Sequence, residues 1–255
     1  MVELKKFPPM LTNNFNDFTY LKSEHFTWFV KHDYDKVLFG RKVNPDNSPL
    51  KRFTDLIVFT FILQYIPPGS RILEVGGGNS RVLAFFKDRY ECWNIDKMEG
   101  IGSGPRKKTP EQEGIRLIRD YAGNFHEALP ENYFEFVFSI SALEHVPQED
   151  PALFDRIIDD MQRVQKPGSF SLHCLDIKLR RNKSKRIWVN RILYRLFERI
   201  DTVNDFIPLE QLENAGDIYV LAERFFNNSG WRKRTGCEYK DYGLLPTSYQ
   251  VLWQK

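Results

Sequence analysis

The sequence predicts an α/β protein with a doubly wound, mostly parallel seven-stranded sheet that ends in a C-terminal antiparallel hairpin. Three observations predict it. Short apolar, β-branched and aromatic runs alternate with stretches whose apolar residues recur at helical spacing. The first strand run ends in three consecutive glycines and leads straight into a helical stretch. Two further strand candidates close the chain, where a final hairpin would finish the sheet edge.

Each element has its own signal. Residues 1–47 are aromatic, polar and irregular, with Pro8-Pro9 and Asn44-Pro45-Asp46-Asn47 as turn signals. A helix is expected from Asn47 or Ser48 to about Ile66, with Pro49 in its first turn, stopped by Pro67-Pro68-Gly69. Residues 71–75 then read as a strand and 79–89 as a helix, with Val82, Leu83, Phe85 and Phe86 on its apolar side. Residues 90–95 form a second strand candidate ending at Asp96, and 99–110 read as a mobile Gly/Ser/Pro/Lys loop. Residues 115–121 and 134–140 are the third and fourth strands. Residues 151–165 place Leu153, Ile157, Ile158, Met161 and Val164 on one helix face, closed by Pro167-Gly168. Residues 169–177 make the fifth strand. After a basic insertion, 208–230 returns to helix, and 234–239 and 249–253 are the closing strand candidates. Strands and helices in this rhythm imply right-handed crossovers and a Rossmann-like sheet.

Composition narrows the function classes. The chain has 255 residues, 42% hydrophobic and 28% charged, which suits one large domain and argues against disorder. A formal charge of +3 is too slight to imply nucleic acid by itself. Cys92, Cys174 and Cys237 are far apart and lack metal-knuckle spacing, as expected of reduced thiols in a cytoplasmic protein. The N-terminus has no apolar signal region. The longest apolar stretch, residues 56–66, is too short to span a bilayer, which needs about 20 residues.

The glycine turn carries the chemistry. A strand ending in glycines and feeding a helix lets backbone approach a ligand closely and offers free N–H groups. The turn here is Gly76-Gly77-Gly78-Asn79-Ser80. A dinucleotide fingerprint would put a third glycine where Arg81 stands, which counts against NAD or FAD. Glu74, two residues before the first glycine, is instead an acid suited to a cationic group.

Together these residues resemble the class I S-adenosylmethionine-dependent methyltransferases. Glu74-Val-Gly-Gly-Gly-Asn-Ser80 looks like their first motif, and Asp96 lies where an acid reads the ribose hydroxyls. Gly123-Asn124-Phe125 looks like the adenine-contacting segment, with Asn124 in place of the usual Asp. The run at residues 134–146, ending Leu-Glu-His-Val, looks like the fourth-strand motif, with Glu135 where the strand aspartate is usual; Lys166-Pro-Gly168 is another family habit. The resemblance covers residues 68–177 well and the C-terminal hairpin loosely. It implies S-adenosylmethionine as cofactor, held by Glu74, Gly76, Gly77, Gly78, Asp96, Met98, Asn124, Phe125 and Ser139.

The acceptor site is expected beyond the carboxyl ends of the fourth and fifth strands. His145, Asp176 and His173 are the candidate proton acceptors there. His173 and Asp176 are three apart on a strand, so they cannot share a face without a bulge. Some relatives bind a divalent ion through Glu-x-x-Glu-His; this chain has Ser141-x-x-Glu144-His145, one carboxylate short, so no metal is expected.

Residues 178–200 hold nine Lys or Arg and a single acid, Glu198, with Val189, Ile192, Leu193, Leu196, Phe197 and Ile200 at helical spacing. A basic cap over the acceptor site would suit an anionic acceptor or a membrane surface. The organisation expected is an N-terminal lid or helical extension at 1–66, in which Tyr20, Trp28 and Tyr34 cover the cofactor. A methyltransferase domain follows at 67–255, with a basic helical insertion at about 178–207. The activity expected is O-methylation of a small molecule or a sugar or glycan hydroxyl. The alternatives are N- or C-methylation of another metabolite or RNA, or a cofactor-binding relative without catalysis.

Overall fold

A computed structural model describes residues 14–100 and 112–255. Most of the loop expected at 99–110, and the first 13 residues, lie outside them.

Three helices precede the sheet: α1 (Ser23–Lys31), α2 (Tyr34–Phe39) and α3 (Leu50–Tyr65). Every residue of α3 from Phe53 to Ile62 is buried. This stretch is therefore buried on every face, and mostly apolar, as a helix sandwiched between layers must be. Its Phe61 stacks on Phe136 of the sheet, with ring centroids 5.3 Å apart. Trp28 and Tyr34 pack against one another at 4.9 Å, and Tyr34 against Phe59 of α3 at 5.7 Å. They belong to the core of this helical layer.

The alternating pattern then runs β1 (Arg71–Val75), α4 (Arg81–Phe86), β2 (Glu91–Ile95), β3 (Ile115–Ile118), β4 (Phe134–Ile140), α5 (Pro151–Val164) and β5 (Gln165–Arg180). Helix α5 starts where Asp150 accepts the Ala152 N–H at 3.1 Å and Pro151 fills the first turn. After β5 come α6 (Ile192–Arg199), α7 (Leu209–Leu212), α8 (Glu223–Asn228), α9 (Gly230–Thr235), α10 (Tyr239–Tyr242) and β6 (Leu244–Gln254).

The described sheet has six strands in the order β3-β2-β1-β4-β5-β6, parallel except for β6, which lies antiparallel along β5 from Phe170 to Arg180. The order reverses between β1 and β4, which opens a crevice at their carboxyl ends. The C-terminal antiparallel pair is therefore β5–β6, and among the described residues the sheet has six strands, not seven. Residues 234–239, expected as a strand, are the end of α9, a turn at Gly236 (φ 70°) and the start of α10. The outer edge of β6 is covered by single bridges instead, Tyr20 to Tyr249 and Thr202 to Trp253. Short bridged segments protect an edge without another strand.

The basic insertion is only partly helical. Strand β5 runs on to Arg180, three residues beyond the expected end, and the helix begins at Ile192. Ile192, Leu193, Leu196 and Ile200 are buried, so the apolar face docks as its spacing predicts. Its charges meet α5: Arg195 binds Asp155 at 2.7 Å, and Arg199 binds Asp159 at 2.9 Å. Among the described residues no helix is long and apolar enough to cross a membrane.

Candidate active site

Strand β1 is buried except at its first residue, so Glu74 carries an acid into the interior with only 1% of its surface exposed. The glycine turn folds over that acid. A Cβ on Gly77 would stand 2.7 Å from Glu74 Cδ, and one on Gly76 only 2.6 Å from Ala142 Cβ at the end of β4. Gly76 has φ 70° besides. Glycine is required at both places, because side chains would collide with the acid below and the neighbouring strand.

Asn94 and Asp96, on and just after β2, shape the turn from the side. Asn94 Oδ1 accepts the Gly77 N–H at 3.1 Å, and Asn94 Nδ2 donates to Gly78 O at 3.0 Å. Asp96 accepts the Gly78 N–H at 2.8 Å and the Met98 N–H at 2.6 Å. Arg81, in the place of a third glycine, turns away and pairs with the buried Asp55 of α3.

A cavity of about 690 Å³ opens at the topological switch point, within the ~300–1,000 Å³ typical of cofactor sites. Of the residues singled out in the sequence, Gly76, Gly77, Gly78, Asp96, Asn124 and His145 line it. So do Lys51, Asp120, Tyr121, Ser141 and Leu143. Asn124 reaches it held by its side-chain amide, which donates to Asp120 at 2.7 Å. Lys51 arrives from α3, its ammonium donating to Ile140 O at 3.0 Å.

Several expected residues stand elsewhere. Glu74 lies under the turn with Oε2 unpartnered, and burial pushes its carboxyl up to about 7. Ser139 and His173 bury each other: Ser139 Oγ and His173 Nδ1 are 2.8 Å apart, and the imidazole stacks on Trp253 at 4.6 Å. Burial lowers His173 to about 3, and neither residue has exposed surface. Both point to the α5–α6 side of the sheet, because β5 places His173 and Asp176 on opposite faces. Phe125 is 43% exposed, with Arg163 6.0 Å from its ring centroid, and Met98 only turns the chain at φ 60°. Neither lines the cavity, nor do Tyr20, Trp28 or Tyr34. Glu135 pairs with Arg71 and Lys166 at the opposite end of the strands, and these partners hold it at about 2 against the pull of burial.

Ser141 and His145, on the cavity wall, each stand beside an acid that does not line it. Ser141 Oγ donates to Asp176 Oδ1 at 3.1 Å. Glu144 follows in a short 3₁₀ turn, Leu143–His145, whose carbonyls Asn190 ties down with bonds to Glu144 O at 3.0 Å and Val146 O at 2.8 Å. The Glu144 side chain is 1% exposed, its Oε1 lies 3.9 Å from His145 Nε2, and both its oxygens lack a hydrogen-bond partner. Burial first, then the Asp176 charge, holds Glu144 well above the usual carboxylate range. Burial also raises Asp176, against the opposing pull of Ser141, Lys51 and Lys178. His145 is lowered by burial and by Lys51. Among the described residues no three His, Cys, Asp or Glu side chains converge as a metal site.

Sequence reasoning passed over Asn94, Lys51 and Asp120, and read Glu144 only as part of an incomplete metal motif. An asparagine inside a strand buried on both faces was a usable signal, since buried amides are hydrogen-bonded. Lys51 comes from a helix remote in sequence and carries no local signal.

A family model described as a methyltransferase domain matches residues 73–172. A comparison with curated proteins found no match. Among solved structures the chain is similar to Burkholderia thailandensis 1,6-didemethyltoxoflavin-N1-methyltransferase, at 12% identity and TM-score 0.43, over 91% of this chain and 90% of that one. It is similar to the YcgJ protein of Bacillus subtilis at 13% identity and TM-score 0.45, over 79% and 98% of the two chains. It is also similar to Haemonchus contortus phosphoethanolamine N-methyltransferase 2, at 14% identity and TM-score 0.44, over 78% of this chain and 52% of that one. The glycine cradle, Asn94 and Asp96 beside it and the switch-point cavity fit S-adenosylmethionine. Residues 73–172 match the methyltransferase-domain model, and the Rossmann-like sheet and its glycine cradle are built largely from that stretch.

Proposed function

We propose that the enzyme methylates a hydroxyl oxygen of a small molecule or sugar, with Asp176 accepting the proton. S-adenosylmethionine supplies, when bound, an electrophilic methyl carbon and a thioether leaving group. Gly76, Gly77, Gly78, Asp96 and Asn124 are the residues that would hold it. The rest of the work falls to the chain. Leu143, Val146, Leu153 and Ile157 line the apolar wall that excludes water. Ser141 and His145 face the acceptor, and Ser141 relays to Asp176. As the acceptor oxygen bonds to carbon, its proton passes to the Asp176 carboxylate.

The observation that carries this reading is the Ser141–Asp176 hydrogen bond at the cavity wall, which puts a carboxylate within one hydroxyl of the acceptor. An amine acceptor would lose its proton to the same carboxylate, so N-methylation is the second reading. The anionic character expected of the acceptor rests on the nine Lys and Arg of residues 178–200. Cytoplasmic residence is part of the proposal and rests on three free thiols, Cys92, Cys174 and Cys237.

The test is methyl transfer from labelled cofactor into panels of hydroxyl and amine acceptors, with calorimetry for cofactor binding. Transfer to hydroxyls that Asp176→Asn slows by about 100-fold is expected. Cofactor binding without transfer to any acceptor would favour a cofactor-binding relative without catalysis.

A further inference from the structure

Where β5 ends and β6 begins the surface carries a second hollow. It measures about 630 Å³, and its walls hold Arg181, Lys183, Lys185 and Lys240 with one acid, Asp241. No residue that lines it also lines the cofactor cavity. Arg180, the last residue of β5, follows Asp176 by four residues, about 13 Å along an extended strand, and the hollow starts at the next residue.

The walls are held by bonds within the protein. The N–H groups of Arg181 and Asn182 both donate to Gly243 O, at 3.0 and 3.2 Å. Lys185 N–H donates to Asn182 O at 2.9 Å and Ser184 N–H to Asn182 Oδ1 at 3.0 Å, which closes a tight turn across residues 182–185. Arg181 lies over the Tyr239 ring, 4.0 Å from its centroid, and donates to Tyr239 O at 3.2 Å. The Lys185 stem runs across Gly243, where an added Cβ would stand 3.1 Å from Lys185 Cγ and Cε. Gly243 also has φ 72°, so a glycine there both makes the turn and leaves room for the lysine.

The charge of this hollow is not balanced from inside. Elsewhere in the basic insertion the arginines are spent on acids: Arg180 on Glu213, Arg195 on Asp155 and Arg199 on Asp159. Lys183, Lys185 and Lys240 make no ion pair with any described residue. Like charges gathered on one surface repel, and an anion from outside relieves them. None of the exposed large apolar residues, Tyr121, Phe125, Tyr194 and Phe206, lines the hollow. It therefore offers no free ring on which a base would stack and no apolar anchor for a bilayer. Recognition is left to charge in a concave space. A single phosphate carries about −1.5 to −2 charges, so four cations around one acid suit two adjacent phosphates better than one.

We propose that this hollow is a binding site for a diphosphate group, in which Lys183, Lys185 and Lys240 meet the phosphate oxygens and Arg181 braces the wall. The site is independent of the atom that the enzyme methylates.

The experiment is calorimetry of the whole chain with inorganic pyrophosphate, and with orthophosphate for comparison. Pyrophosphate is expected to bind at one site, about tenfold tighter than orthophosphate, and to weaken as salt rises. Lys183→Ala combined with Lys185→Ala should weaken it by about tenfold or more, the loss of charge-assisted hydrogen bonds. Lys31→Ala combined with Lys42→Ala removes two exposed lysines that do not line the hollow, and should leave the affinity within about twofold of wild type. Gly243→Ala keeps every charge and displaces the Lys185 stem, and should cost about threefold or more. No binding of pyrophosphate would overturn the site, as would equal losses in the two double variants or full affinity in Gly243→Ala. Single-stranded DNA or phosphatidylglycerol vesicles that bind where pyrophosphate does not would overturn it in favour of an extended polyanion surface. The measurement needs neither cofactor nor acceptor, so its failure is distinct from a failure of methyl transfer.

Discussion

Ser141 donates its 3.1 Å hydrogen bond to Asp176 from a backbone held at φ 51°. A non-glycine residue in the left-handed region costs of order 1–3 kcal/mol, and such strain collects at functional sites. Ser141→Ala and Ser141→Gly both remove the donor, but only glycine relieves the strain. Both should lower kcat, by about tenfold, because Asp176 loses the hydroxyl that aims it. The glycine variant should be more stable than the alanine variant by about 1 kcal/mol, read by chemical denaturation. Equal stability of the two would show that the φ stores no strain. Wild-type turnover in both would remove Ser141 from the chemistry.

Much of this was legible in the sequence, for identifiable reasons. The strand–glycine–helix run at 71–80 is local, and its reading required only that glycines permit close approach; Gly76 and Gly77 meet Ala142 and Glu74 as that reading demands. The alternating pattern gave β1 to β5 within a few residues, because parallel strands buried on both faces are dense apolar runs. What failed was orientation and company. Glu74 read as an acid facing a ligand, but a carboxyl in the middle of a doubly buried strand goes under the turn instead. Ser139 and His173 satisfy each other on the α5–α6 side of the sheet, which no one-dimensional pattern reports. The closing strand at 234–239 failed because Gly236 ends one helix and Glu238 begins another.

Asn94 makes the next prediction. Its side chain satisfies one donor and one acceptor of the glycine turn and is 2% exposed. Asn94→Ala leaves the Gly77 N–H and the Gly78 carbonyl without those partners. A loss of about 1–3 kcal/mol in unfolding free energy is expected, from the cost of unsatisfied buried groups. Cofactor affinity should fall by about tenfold in calorimetry as the cradle loosens. A variant that loses stability but keeps full affinity would show that the turn holds its shape without Asn94.

His173 should matter for stability and not for turnover. It has no exposed surface, and it is bonded to Ser139 and stacked on Trp253. His173→Ala opens a buried hole and strands the Ser139 hydroxyl, a cost of about 2–4 kcal/mol. At a temperature where the variant remains folded, kcat and its pH profile should match the wild type. A displaced pH profile would return the imidazole to the list of proton carriers.

Glu74 sets a pH dependence whose sign can be worked out. Its carboxyl titrates near 4.5 when unperturbed and at about 7 in the fold, raised by burial. Between those values the native state holds a proton that the unfolded chain has released. Stability therefore falls as pH rises through this window, by about 3 kcal/mol for a shift of this size. His25 and His173, lowered by burial to about 4 and about 3, work in the opposite direction below 6.5, because the unfolded chain takes up protons that the fold refuses. Wild-type stability alone would blend these slopes. The difference between wild type and Glu74→Gln isolates the carboxyl, since the amide carries no titration. In ligand-free protein Glu74→Gln should gain on wild type steadily from about pH 4.5 to about pH 7 and hold a constant advantage above that. A difference that stays flat across the window would mean that Glu74 ionises in the fold as it does in water, and that some donor reaches the carboxyl beneath Gly77.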